Sequence, residues 1–177
     1  MKRYLAPAVC AVLALLIAPG SALAQSDTAT CGITVTVDAI VEWDAAAFTA
    51  IGLANITAQG DQPTGTSSLV LYTNGDVDLT ADNDTDAQLS SATDALVTEY
   101  QLTDDGDGTS GTGMVTDVTT WTDYTTFLSP AVTVTHVSTD GAVNITLGVR
   151  ASNPAGEVAD TGAYSATQTL TATWAGP

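Results

Sequence analysis

The chain is 177 residues long and 45% hydrophobic, with 20 Asp or Glu against three Lys or Arg and a formal net charge of −17. That balance rules against binding nucleic acid or anionic lipid headgroups, both of which need clustered Lys and Arg. The length suits one domain with room for a hydrophobic core.

The first 24 residues read as an export signal. Lys2 and Arg3 form a charged start, residues 5–17 an almost unbroken apolar run, and Pro19-Gly20 its end. Ala22-Leu23-Ala24 then offers small residues on either side of a large one, with cleavage expected before Gln25. The apolar run is shorter than the roughly 20 residues a membrane span needs. Residues 25–177 form the expected mature domain, secreted or held at the cell surface and free of the membrane. They keep all 20 acids and only Arg150 among the bases.

Cys10 falls in the leader, which leaves Cys31 as the mature domain's one cysteine. It cannot close an internal disulfide, so it is buried, free or paired with another chain, and a buried small hydrophobe is the ordinary reading. Ile33-Thr34-Val35-Thr36-Val37 alternates apolar and polar residues, the period of a strand with one buried face. This segment is either the first strand of its own sheet or an extended arm that adds to the open sheet edge of a neighbouring molecule, anchored by Ile33, Val35 and Val37.

Further strands follow at sandwich-like spacing. The chain holds 31 Thr beside many Val and Ala, residues that suit a half-buried pleated surface. Residues 68–73 run into Asn74-Gly75 and then residues 76–80, which reads as a tight hairpin whose turn needs positive φ angles. Residues 86–98 are the one stretch where a short helix is conceivable, with Leu89, Ala92 and Leu96 on one face. Residues 131–137 and 142–151 read as a second hairpin across 138–141, with His136 on the face of Val132 and Val134 in a structural role. Asn153-Pro154-Ala155-Gly156 leads to a last strand over 163–174. The expectation is an all-β fold, a single β-sandwich of Ig-like or jelly-roll-like kind with about 8–10 antiparallel strands.

The chemical lead is acidic. Asp82-x-Asp84-x-Asp86 places oxygen ligands at alternate positions, as the opening of a calcium loop does, and Asp104, Asp105 and Asp107 form a second cluster. Ala87 stands where such a loop needs Gly, and Thr93 where it needs a distal acid, so solvated turn-forming Asp is the competing reading. His136 is the one histidine, and no Gly-x-Ser-x-Gly elbow, phosphate loop or dinucleotide fingerprint is present. No catalytic residue is therefore assigned, and the chain reads as a non-enzyme. Trp43, Trp121 and Trp174 serve either carbohydrate stacking or core packing.

The stretch from Gly162-Ala163-Tyr164 through Thr167-Gln168-Thr169-Leu170-Thr171-Ala172-Thr173-Trp174 resembles the closing strand of secreted bacterial β-sandwich proteins of the spore-coat-U and fimbrial-subunit kind. The resemblance implies a surface or appendage role, with self-association or other surface proteins as partners. The leading expectation is thus an exported structural subunit that associates through strand edges. The alternative is a monomeric secreted module that binds calcium or carbohydrate.

Overall fold

The computed structural model describes residues 27–104, 114–115, 119–136 and 142–176, divided into a unit up to Thr36 and a unit from Val37. The expected leader, residues 1–24, lies outside the described residues. In the first unit, residues 27–36 are exposed throughout and join no strand ladder.

Among its described residues the second unit is all-β apart from one 3-10 turn at Thr85–Ala87. Its strands are β1 (Val41–Trp43), β2 (Thr64–Thr73), β3 (Asp76–Ala81), β4 (Val97–Asp104), β5 (Met114–Val115), β6 (Thr122–Asp123), β7 (Val132–Thr135), β8 (Ala142–Ser152) and β9 (Leu170–Gly176). Two antiparallel sheets result, β1-β2-β8-β4-β6 and β5-β7-β3-β9. They pack face to face as a β-sandwich, within the expected range of strand number.

Alternation places the core. On β8, Val143, Ile145, Leu147, Val149 and Ala151 are all buried, a strict period of two. Leu69 and Leu71 of β2 and Tyr100 and Leu102 of β4 extend that inward face on either side. Val77 and Leu79 of β3 and Val132 and Val134 of β7 oppose it from the second sheet. Each such side chain contributes roughly 1.5–3 kcal/mol by leaving water.

Four sequence expectations are corrected. First, β2 and β3 do not form a hairpin: they belong to different sheets, and the chain crosses between layers at Asn74-Gly75. A two-residue hairpin would set Leu71 opposite Asp78 and Thr73 opposite Asp76, turning aspartates onto the apolar face. Crossing instead keeps Leu71, Val77 and Leu79 all inward. Gly75 has no positive φ and is needed for space, since a Cβ there would collide with the Trp174 ring.

Second, β7 and β8 also lie in different sheets, because β8 takes the central place between β2 and β4. Third, no helix forms over 86–98. Ser91 Oγ accepts from the backbone N–H groups of Thr93 and Asp94, and Leu89 N–H donates to Thr98 Oγ1, so local side-chain bonds displace the helical pattern. Fourth, the last strand joins a ladder only from Leu170, while 163–169 remain extended outside one.

Candidate functional site

The N-terminal arm is built as a strand without a sheet. Ile33, Val35 and Val37 are 90%, 88% and 67% exposed, although their alternation suits a buried face. This corrects the reading of 33–37 as a strand paired within its own sheet, since no ladder includes it. Cys31 is exposed and free, which overturns the expectation that it is buried. It falls on the same side of the alternation as Ile33.

Residues 38–40 are tied to the end of β2. Asn74 Oδ1 accepts from Ile40 N–H at 2.8 Å, Asn74 Nδ2 donates to the Asp38 carbonyl at 2.8 Å, and Asn74 N–H donates to the Ile40 carbonyl. A single Asn side chain thus fixes residues 38–40 at the end of β2.

A cleft of about 470 Å³ opens beside Leu69 of β2, lined by Trp43, Phe48, Leu69, Leu147, Val149 and other uncharged residues. It exists because the five-stranded sheet outruns its partner. β2 and β8 are ten and eleven residues long, whereas β3 and β9 are six and seven. The uncovered end is met on one side by residues 45–53 and on another by residues 166–170. A neighbouring cleft of about 910 Å³ shares Ile51, Leu53 and Leu89 with it and carries Asp160 among its lining.

Both flanking segments carry unused backbone. After Asp44, whose N–H donates to the Val70 carbonyl, the chain leaves β2. Among the described residues, 45–56 make no backbone hydrogen bond. Ile51 and Leu53 are nevertheless half-buried with Gly52 and Ala54 exposed, the period of a strand. Their side chains lie over Gly65, where an added Cβ would meet Ile51.

On the other flank, Ser165 exchanges hydrogen bonds with Ser90, Thr167 N–H donates to the Asp86 carbonyl, and the Thr169 carbonyl accepts from Asp82 N–H. Alternate residues of an extended chain point their backbone groups to opposite sides. The N–H and C=O of Ala166 and Gln168 therefore face away from 82–90, and they have no partner among the described residues. The Gln168 side chain is also unsatisfied: its Nε2 and Oε1 are both buried with no hydrogen bond. An unmatched buried amide costs about 1–3 kcal/mol.

The acidic candidates are engaged differently. Asp76 Oδ1 accepts from His136 N–H and Asp78 Oδ1 from the Thr133 hydroxyl, both at 2.8 Å, tying β3 to β7. Asp82 Oδ1 accepts from Asp84 N–H at 3.1 Å in a local turn, and Asp86 stands exposed in the first turn of the 3-10 segment. Asp104 ends β4, and Asp105 and Asp107 lie outside the described residues. No three His, Cys, Asp or Glu side chains among the described residues come together in a metal-holding group.

Among the described residues, two carboxylates outside those clusters are held below their ordinary range. Asp61 is lowered chiefly by the backbone N–H of Thr57, helped by the Thr57 hydroxyl and the Ala58 N–H. Asp94 is lowered by the backbone N–H groups of Asp160 and Ala95. Both act as turn fasteners near the clefts.

The tryptophans are each packed on a neighbour: Trp43 on Phe48 with ring centres 5.9 Å apart, Trp121 beneath Arg150 at 5.0 Å, and Trp174 over Gly75.

Sequence reasoning found the arm but missed the cleft. The Ala45-Ala46-Ala47 run followed by Ile51-x-Leu53 was the available signal: small residues that leave space, then two apolar positions at strand period. No protein-family model matches the chain, and no curated protein matches it either.

Proposed function

We propose that the chain is an exported, non-enzymatic structural subunit that self-associates by donating its N-terminal arm as a β-strand. The supporting observation is the exposed apolar row Ile33, Val35 and Val37 on an extended segment with no ladder partner. Side chains that alternate for burial but remain in water gain by meeting an apolar surface, and the open backbone beside them gains by joining a sheet edge. The heavy negative charge limits adhesion elsewhere, because two copies repel wherever carboxylates meet. Assembly on the cell exterior is the setting that an export leader would supply.

Deleting residues 25–37 is the test. The core draws on residues from Val41 onward, so the shortened chain should fold with unchanged circular dichroism. Light scattering and negative-stain microscopy should find ordered assemblies for the intact protein and monomers for the deletion. Assembly that survives the deletion would refute the reading.

A further inference from the structure

We infer that the outer face of the five-stranded sheet binds a neutral polysaccharide, an extended ribbon of β-linked sugars laid along β2 and β8 between Tyr72 and Trp121. The inference uses no residue of the arm and stands independently of strand donation.

The pleat builds this face. The alternation that turns Leu69, Leu71, Ile145 and Leu147 into the core turns Ser68, Val70, Asn144 and Thr146 outward. Tyr72 ends the outward row of β2 and is 45% exposed. Trp121 lies half-buried over Gly148, the residue of β8 paired with Thr66. Thr66 and Tyr72 are six residues apart on β2. The two aromatic side chains therefore stand roughly 20 Å apart along the strands, on one face.

Charge selects the sign of the ligand. In a chain with 20 acids, the outward side chains of β2 and β8 between these aromatics carry no charge. Acids stand at the margins of the face: Glu42 opposite Tyr72 on one side, and Asp123 opposite Glu99 on the other. Asp44, beside Glu42, already accepts from Val70 N–H, and Arg150 and Glu99 neutralise each other. A body of net charge −17 repels anionic polymers, and a cationic one finds its counter-charges elsewhere on the surface. The uncharged interior of the face suits an uncharged partner.

Hydrogen-bonding capacity selects its kind. The Ser68 and Thr146 hydroxyls bond to each other at 2.7 Å, which leaves lone pairs on both. The side chains of Thr64, Thr66 and Asn144 have no hydrogen-bond partner among the described residues. A sugar ring offers hydroxyls to such groups and C–H faces to the aromatic rings at either end. A hydrocarbon chain would leave the polar groups unmatched, and a second copy of this chain would bring its own charge of −17 against the first. An open sheet face with a platform at each end takes a flat, extended chain, whereas a single sugar needs a pocket around it.

The test uses the intact protein with microcrystalline cellulose and soluble cellohexaose as probes and polygalacturonate as the anionic control, in salt that screens the charge of the body. Depletion from solution should show saturable retention on cellulose, calorimetry should show binding of cellohexaose, and polygalacturonate should not bind. Tyr72→Ala should weaken cellohexaose binding about fivefold or more by removing a stacking surface. Ser68→Asp should weaken it about tenfold, because the ligand would cover an unpaired carboxylate midway along the face. Both positions are exposed, so both variants should keep the circular dichroism and Tm of the parent. Val158→Asp, at a position 71% exposed and outside both sheets, should bind as the parent does. Cellohexaose should change tryptophan emission in the parent and leave it unchanged in Trp121→Phe.

Failure to bind either probe would overturn the inference. So would binding undiminished in both Tyr72→Ala and Ser68→Asp, or equal binding of polygalacturonate. An emission change that survives in Trp121→Phe would refute the place of Trp121 in the site.

Discussion

Gly75 lies directly against the indole of Trp174, so closely that no Cβ fits between the glycine and the ring. The Gly176 carbonyl closes the same space, so the crossing from β2 to β3 is sealed onto the end of β9. Gly75→Ala should force the ring or the last strand aside and lower stability by about 1–3 kcal/mol, read as a fall in Tm. Gly60→Ala, where a Cβ would meet nothing, should remain within about 0.5 kcal/mol. Equal Tm values for the two variants would contradict this contact.

Tyr100 predicts an alkaline limit. Its hydroxyl donates to the Ala87 carbonyl at 2.7 Å, and burial pushes the phenol up to about 12. The fold therefore holds the neutral phenol. As pH rises past about 10, the unfolded chain loses this proton while the folded chain keeps it, so stability falls from about pH 10 towards 12 and is indifferent to this group below 10. Tyr100→Phe should cost about 1 kcal/mol at neutral pH through the abandoned Ala87 carbonyl. Urea midpoints from pH 8 to 12 should show the wild-type advantage shrinking as pH rises. A constant difference would mean the phenol is not shifted.

Arg150 is the one Lys or Arg among the described residues, and it has two attachments. On neighbouring strands it pairs directly opposite Glu99, with Nε 2.8 Å and Nη2 2.6 Å from the same carboxylate oxygen, and its guanidinium lies 5.0 Å from the Trp121 ring centre. Trp121 in turn covers Gly148, which explains why that glycine is buried on the outer face of β8. Arg150→Met should cost about 1–2 kcal/mol, the range of a charge-assisted hydrogen bond that is partly open to solvent. Trp121 emission should shift with it. Arg150→Lys should recover only part of the loss, because the planar fork stacks and the ammonium does not. Full recovery by Lys would show that charge alone matters.

What the sequence made legible was local. Period-two alternation identified the inward face at Val132 and Val134, because the pleat itself enforces that period. Pairing was less legible, since it depends on residues far apart in the chain. At Asn74-Gly75 the parity of Leu71 against Asp78 already spoke against a hairpin, and the turn dipeptide obscured it. Across 138–141 parity allows a hairpin, and only the demand of β2 and β4 for a central partner sends β8 to the other sheet. The arm was visible because Ile33, Val35 and Val37 are contiguous. The cleft was not, because its lining comes from six separate stretches and its most informative atoms, the amide of Gln168, are notable only for lacking a neighbour.

The charge excess predicts how the sandwich responds to salt. At low ionic strength a net charge of −17 repels itself more strongly in the folded state than in the expanded chain, so folding is opposed. The screening length falls from roughly 30 Å at 0.01 M to 3 Å at 1 M, which brings it below the spacing of most surface carboxylates. Tm should therefore rise across that range in NaCl. Calcium chloride and magnesium chloride, compared at matched ionic strength, distinguish screening from a site. Asp76 and Asp78 already accept hydrogen bonds that join β3 to β7, and Asp82 is committed to its turn. The two divalent salts should then raise Tm equally. A larger rise with calcium at sub-millimolar concentration, lost on replacing Asp82 and Asp84, would instead favour a calcium-binding module and count against the structural-subunit reading.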